Sequence, residues 1–212
     1  MDKTMTNHPM RPQQILNEEI KWDKTQIISS KTDANGTILY MNDAFEAASE
    51  YNKIELIGEP HNIIRHPDMP KVVFKVLWEN LKQGKNVHAI VKNLTRSGRY
   101  YWVITDFTID KDEKGKITGY TGRRKALPTS VVEKIEPLYK TLLDIETVKS
   151  EAASELYFKA YLKEEIGKSY DDFVVDLFED ESKKEQNTNN ASEPNKLKKG
   201  INWFFFGDTN PK

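Results

Sequence analysis

The sequence predicts an α+β domain: a five-stranded antiparallel sheet with helices on one face, followed by C-terminal helices. Three observations carry this. Two β-type runs precede a helical stretch and three follow it, each separated by turn residues. The apolar period changes to a helical one after Pro128. Third, 212 residues with 37% hydrophobic content supply one sizeable core plus appendages.

In chain order, residues 1–24 form a polar N-terminal arm, in which Ile15, Leu16, Ile20 and Trp22 are spaced for one short amphipathic helix. Thr25 to Thr32 and Thr37 to Met41 are strands joined by the turn Asp33-Ala-Asn-Gly36. Asn42-Asp43 caps a short helix carrying Ala44, Phe45 and Ala48, and a second runs from Lys53 to Ile57, stopped by Gly58 and Pro60. Residues 59–70 hold three prolines and read as an irregular loop. From Pro70, Val73, Phe74, Leu77, Trp78 and Leu81 share one helical stripe that Gly84 ends. Val87 to Leu94, Tyr100 to Ile109 and Ile117 to Arg123 are the remaining strands, turned at Ser97-Gly98 and Lys114-Gly115. A helix-covered sheet of this kind leaves a pocket between helix and sheet.

Beyond the sheet, Val131, Ile135, Leu138, Leu142 and Ile145 are spaced 4-3-4-3, the seam of a coiled coil or helix hairpin, which Pro137 should kink or interrupt. That seam must pack on the domain's own sheet or in a homodimer. A second helix carries Ala152, Leu156, Tyr157, Ala160 and Tyr161 up to Gly167, and a third spans about Tyr170 to Phe178. The resulting boundaries are an arm at 1–24, the sheet domain at 25–125, a helical extension at 126–179, a disordered linker at 180–200 and an aromatic tail at 201–212.

Composition excludes several classes. With 32 basic and 33 acidic residues the net charge is -1, so nucleic acid and anionic membranes are not expected partners. Cys is 0, which removes disulfides, thiol nucleophiles, iron–sulfur clusters and any flavin–cysteine photoadduct. No stretch has the ~20 apolar residues of a membrane span, so the expectation is a cytoplasmic chain with no direct membrane insertion. No phosphate-binding glycine loop, kinase motif set or Ser-His-Asp arrangement follows residue 130, so the chain is not read as an enzyme.

The segment Pro60-His-Asn-Ile-Ile-Arg-His-Pro-Asp-Met-Pro70, with Asn42-Asp-Ala-Phe45 before it and Trp78 and Lys92-Asn93 after it, resembles the PAS sensor domains of bacterial energy-taxis receptors. It is similar to the flavin-binding Aer family and, in layout, to the soluble, split CetB type. The resemblance covers about residues 25–145, including Ile135-Glu-Pro-Leu-Tyr139. It implies non-covalent FAD between the long helix and the sheet, redox or energy sensing, and a membrane chemoreceptor or signalling protein as partner.

The residues agree with that chemistry. A flavin has a flat apolar ring, an edge of alternating donors and acceptors, and negative charge near N1 on reduction. Phe74 and Trp78 offer an aromatic helix face, Asn42 and Asn93 offer amides, Arg65 and His66 offer cationic or donor groups, and Asp68 would orient Arg65 or His66. Plainer roles stand beside these: Asn42 as a helix cap, Asp68 with Pro70 as a helix start, Phe74 and Trp78 as core, and Asn93 as a strand residue. Flavin-type members often carry Trp where this chain has Val87. Two other readings use the same fold: a gas or redox sensor with haem b on His61, His66 or His88, and a cofactor-free interaction module. Finally, Asn202-Trp-Phe-Phe-Phe206 either folds back on the domain or acts as a recognition peptide resembling the Asn-Trp-x-x-Phe ends of some chemoreceptors.

Overall fold

A computed structural model describes residues 8–189 of the chain. Five strands, β1 (Ile28–Asp33), β2 (Ile38–Met41), β3 (Val87–Leu94), β4 (Tyr100–Lys111) and β5 (Ile117–Ala126), form one antiparallel sheet in the order β2-β1-β5-β4-β3. Between β2 and β3 lie α1 (Asp43–Ser49), α2 (Lys53–Leu56), a 3-10 turn (His61–Ile64) and α3 (Lys71–Lys82). Asn42 starts α1, its side chain accepting from Phe45 N at 3.0 Å. The buried stripe of α3 is Val72, Val73, Leu77 and Leu81, with Phe74 and Trp78 half-buried beside it.

After the sheet come α4 (Thr129–Val148), α5 (Glu151–Tyr161), a π turn (Leu162–Ile166) closed by Gly167 at φ 69°, and α6 (Tyr170–Asn189). The seam residues Val131, Ile135, Leu138 and Leu142 are buried within the chain itself, so they need no second copy to cover them. Side chains on a strand alternate between faces. Val91 and Asn93 look toward α3, so Lys92 and its register partner Trp102 look away from it, and there Tyr139 and Glu136 of α4 meet them. Thus α1 to α3 cover one face, and α4 laps onto the other.

Several expectations are corrected. The arm around Ile15 to Trp22 is extended, not helical: Ile20 N donates to Tyr100 O, Tyr100 N to Glu18 O, and Glu19 bridges Tyr100 in parallel. Pairing with β4 satisfies this backbone better than a lone helical turn would. Pro137 does not interrupt α4, because tertiary burial on both sides outweighs one missing hydrogen bond. On α5 the buried residues are Ser154 and Phe158, whereas Leu156 is 72% exposed, so the docking face is turned from the expected one. The helix α6 continues through Asn189, into the stretch read as linker. The aromatic tail at 201–206 lies outside the described residues.

The outer side of β3 is an open sheet edge, and unpaired edge groups must find partners. Three alternate residues do so in loops and C-terminal helices. His88 N donates to Asp171 Oδ1 of α6. Ile90 N donates to Tyr170 Oη at 3.2 Å, and Ile90 O accepts from Tyr139 Oη at 2.8 Å. Lys92 N points at Met69 Sδ, and Lys92 O accepts from His66 N. The Tyr139 and Tyr170 hydroxyls also bond each other, so the cap is one network.

Tyr139→Phe removes one acceptor's partner from this buried site and should lower unfolding free energy by about 1–3 kcal/mol, measurable as a shift in the urea midpoint. Tyr170→Phe should in addition speed hydrogen exchange at the Ile90 amide. An unchanged midpoint in both variants would show the edge to be covered by packing alone.

Candidate functional site

The α3 face of the sheet encloses a cleft of about 900 Å³, part of it open to solvent. Its walls are apolar: Phe74, Leu77, Trp78 and Leu81 of α3 face Val91, Phe107 and Tyr120 of the sheet, with Trp78 edge-on to Tyr120 at 5.1 Å. Apolar walls with a few polar groups between them are typical of small-molecule sites.

Its floor is polar and made of donors. Asn93 on β3, Thr105 on β4 and Arg124 on β5 line it, and Thr105 pairs directly with Arg124 across the ladder. Thr105 Oγ1 is buried with no hydrogen-bond partner, and the Asn93 amide, in register with the buried Tyr101 hydroxyl, has Tyr101 as its one polar neighbour. Buried polar atoms left under-matched are rare, and these two lining residues could serve a ligand's acceptors. Arg124 is 2% exposed, and no carboxylate of the described residues pairs with it. It donates instead to Ser30 Oγ at 3.0 Å, Gly122 O at 3.1 Å and His61 Nε2 at 2.8 Å, and lies over the Phe45 ring. Burial pulls its pKa down to about 10. Gly122 makes room for it: a Cβ there would sit 2.8 Å from Arg124 Nη2.

Of the sequence-predicted site residues, Arg65, Phe74, Trp78 and Asn93 are brought together at this cleft. Arg65 lies 4.2 Å above the Phe74 ring and donates to Met69 O at 3.0 Å. Asn42 stands apart from the lining. Its Oδ1 accepts from Ser29 N and Phe45 N and its Nδ2 donates to Ile27 O, so three of its hydrogen bonds join α1 to β1. His66 lines a neighbouring outer cleft instead. Its Nδ1 accepts from Asp68 N at 3.1 Å, which leaves its proton on Nε2, and Nε2 has no partner. Asp68 does not reach Arg65; its carboxylate pairs with Lys92 Nζ at 2.7 Å and stands 3.4 Å from His66 Nδ1.

Sequence reasoning missed Arg124, Thr105 and Gly122, and treated His61 only as a haem candidate. A signal existed. In a strand, Tyr120, Gly122 and Arg124 share a face by period two, and Arg124 fell outside because the strand was ended at Arg123. His61 lines the cleft, yet its Nε2 already meets Arg124 and Ser30 Oγ. No group of three metal-ligating side chains occurs among the described residues.

Burial first, and Arg124 second, push the His61 pKa down to about 3, and burial pulls His66 down to about 4. Both imidazoles stay neutral in the fold while the unfolded chain protonates near 6.5, so the unfolded state binds more protons below that pH. Stability is therefore expected to fall as pH drops from about 6.5 toward 4, with a slope approaching about 1.4 kcal/mol per pH unit for each buried imidazole. Urea titrations at stepped pH check this, and His66→Gln should flatten the slope; an equal slope would assign the acid sensitivity elsewhere.

Residues 38–124 match the family model for the PAS fold. Over 138 residues the chain is 40% identical to the aerotaxis receptor of Escherichia coli (strain K12), covering 65% of this chain and 26% of that protein. It is 27% identical over 95 residues to the bacterioopsin transcriptional activator of Halobacterium salinarum, covering 45% of this chain and 14% of that one. The chain therefore spans about a quarter or less of the length of these relatives. Among solved structures, "Flavin Analogue Sheds Light on Light-Oxygen-Voltage Domain Mechanism" aligns at 16% identity and TM-score 0.49 over 52% of this chain and 84% of that one.

Proposed function

We propose that this chain, whose residues 38–124 match the family model for the PAS fold, is a PAS sensor of redox or energy state in aerotaxis-type signalling that binds FAD without a covalent link. The observation that carries the reading is the polar floor of the cleft: Asn93, Thr105 and a buried Arg124 with no carboxylate partner among the described residues lie beneath an apolar slot. The residues fit the group. Phe74 and Trp78 would flank the ring, Asn93 and Thr105 would donate to its polar edge, and Arg124 would counter negative charge there. When bound, the flavin supplies reversible electron uptake.

The chain's own part is binding, orientation and relay. The apolar walls exclude water, which strengthens every polar contact on the floor. A change of charge at the ring's edge would alter the pull on Asn93 and Arg124. Asn93 and Arg65 are bridged backbone to backbone, and the neighbouring Lys92 carries the covered edge of β3. A shift in β3 is therefore felt where α4 and α6 dock. Those helices are the natural outlet toward a partner signalling protein, in a cytoplasmic setting and without catalysis by this chain. Among the described residues no helix is long and apolar enough to cross a membrane.

The absorption spectrum of the purified protein tests the reading: flavin bands and FAD released on denaturation are expected. A Soret band would assign haem instead, and a featureless spectrum that added FAD does not change would leave an interaction module. Asn93→Leu should weaken FAD binding about tenfold, the equivalent of roughly 1.4 kcal/mol for one lost hydrogen bond, read by fluorescence titration. Hydrogen exchange in α4 and α6 should differ between oxidised and dithionite-reduced protein, and identical patterns would remove these helices from the signal path.

A further inference from the structure

Helix α5 docks on its less apolar side. Ala152, Leu156, Tyr157, Ala160 and Tyr161 fall on one half of its circumference, the stripe by which a helix of this sequence would normally pack. The side that meets α4 and α6 is the other one: Ser154 Oγ donates to Leu142 O at 2.9 Å, and the Phe158 ring meets Tyr170 edge-on at 5.5 Å. The apolar stripe is therefore left to solvent. Leu156 is 72% exposed and Tyr157 41%, and the Tyr157 and Tyr161 rings stack 6.4 Å apart into a flat aromatic platform. A contiguous apolar face of this kind marks an interface.

The chain carries a segment of matching chemistry. Ile201, Trp203, Phe204, Phe205 and Phe206 crowd apolar side chains whose burial is strongly favoured into one short stretch. Its tether is long enough to return it to α5. Helix α6 begins beside α5, where Tyr170 meets Phe158, and its 20 residues to Asn189 cover about 30 Å. Residues 190–200 span at most about 36 Å, so the segment can travel back along α6 and arrive at α5.

Charge agrees with that path. Lys196, Lys198 and Lys199 lead into the segment, while Glu164 and Glu165 stand exposed just past Tyr161. Leu39 and Tyr40, also exposed, belong to β2, at the opposite edge of the sheet from the strand on which α6 docks.

We propose that residues 201–206 seat on the Leu156, Tyr157 and Tyr161 face of α5 in the same molecule, with their aromatic rings against the tyrosine platform. A flexible link of this length holds the segment at an effective concentration of about millimolar, so a contact too weak to retain a separate peptide is filled when the two are joined. Seating has a consequence. It closes this face of α5 to a second copy or a partner, and departure of the tail opens an apolar surface beside the helices that cover β3. The inference is independent of what the inner cleft binds.

The chain has no cysteine, so introduced pairs report proximity without background. In the full chain, Ala160→Cys with Asn202→Cys should be joined within one molecule by a short thiol cross-linker at least about tenfold faster than Ile54→Cys with Asn202→Cys, whose first site is another exposed apolar position at 94% exposure. Hydrogen exchange at the amides of residues 201–206 should speed about tenfold or more in Leu156→Asp, a change on the solvent side that spares the core. Equal cross-linking of the two pairs, or exchange at 201–206 indifferent to Leu156→Asp, would overturn the seat. Cross-linked dimers in place of cross-linked monomers, with sedimentation as a dimer that Leu156→Asp dissociates, would assign the face to a second copy and overturn it as well.

Discussion

The open edge of β3 is the constraint from which the rest of the architecture follows. A sheet in the order β2-β1-β5-β4-β3 leaves β3 with one unpaired side, and β3 is also the strand that carries Asn93 to the cleft. Leaving that edge bare would invite pairing with other chains, and burying it without partners would strand several backbone groups. The chain covers it with two tyrosine hydroxyls, one aspartate and the 66–69 loop. Helices α4 and α6 are therefore not an appendage attached to a finished domain. They complete its hydrogen bonding, and they do so on a strand that also lines the cleft.

The fold was largely legible because its signals are local. Period-two runs bounded by Ser-Gly and Lys-Gly turns mark β3 to β5, and the α3 stripe repeats at helical spacing over three turns. What was not legible depends on contacts between distant segments. The arm has a helix-like spacing of Ile15, Leu16 and Ile20, yet Tyr100 and Gly98 supply backbone partners that no local pattern announces. On α5, Leu156 and Tyr157 look like core by type, but Phe158 and Ser154 are what α4 and α6 cover, with Ser154 Oγ donating to Leu142 O.

The candidate site divides the same way. Phe74, Trp78, Arg65 and Asn93 are found by residue type and by family likeness, and geometry assembles them. Asn42 illustrates the opposite case: the residue type suits a ligand amide, but it stands apart from the cleft lining and ties β1 to α1 with three hydrogen bonds. Arg124 is the instructive omission. Among charged residues, a guanidinium is expected outside unless paired, so an Arg-Arg step at a strand end reads as surface. Only the register shows that Arg123 faces water and Arg124 the cleft. Buried charge without a carboxylate partner is costly, and Ser30 Oγ, Gly122 O and His61 Nε2 offset part of that cost here.

The arm carries a consequence for the order in which this molecule comes together. Its anchors are all remote in sequence: Arg11 on the 62–65 carbonyls, Leu16 on Gly98, and Ile20 on Tyr100. Gly98 at φ 89° admits the arm so closely that a Cβ would lie 2.1 Å from Gln14 O. The Leu16 and Ile20 anchors wait for the β3–β4 turn and β4, so the first part of the described chain to leave the ribosome is among the last that can settle. Segments secured only by such late, long-range contacts are also the first to come away in local opening. Brief protease exposure should nick the chain before residue 22 while the sheet is still intact, and the 62–65 segment, relieved of Arg11, would then be the next to loosen.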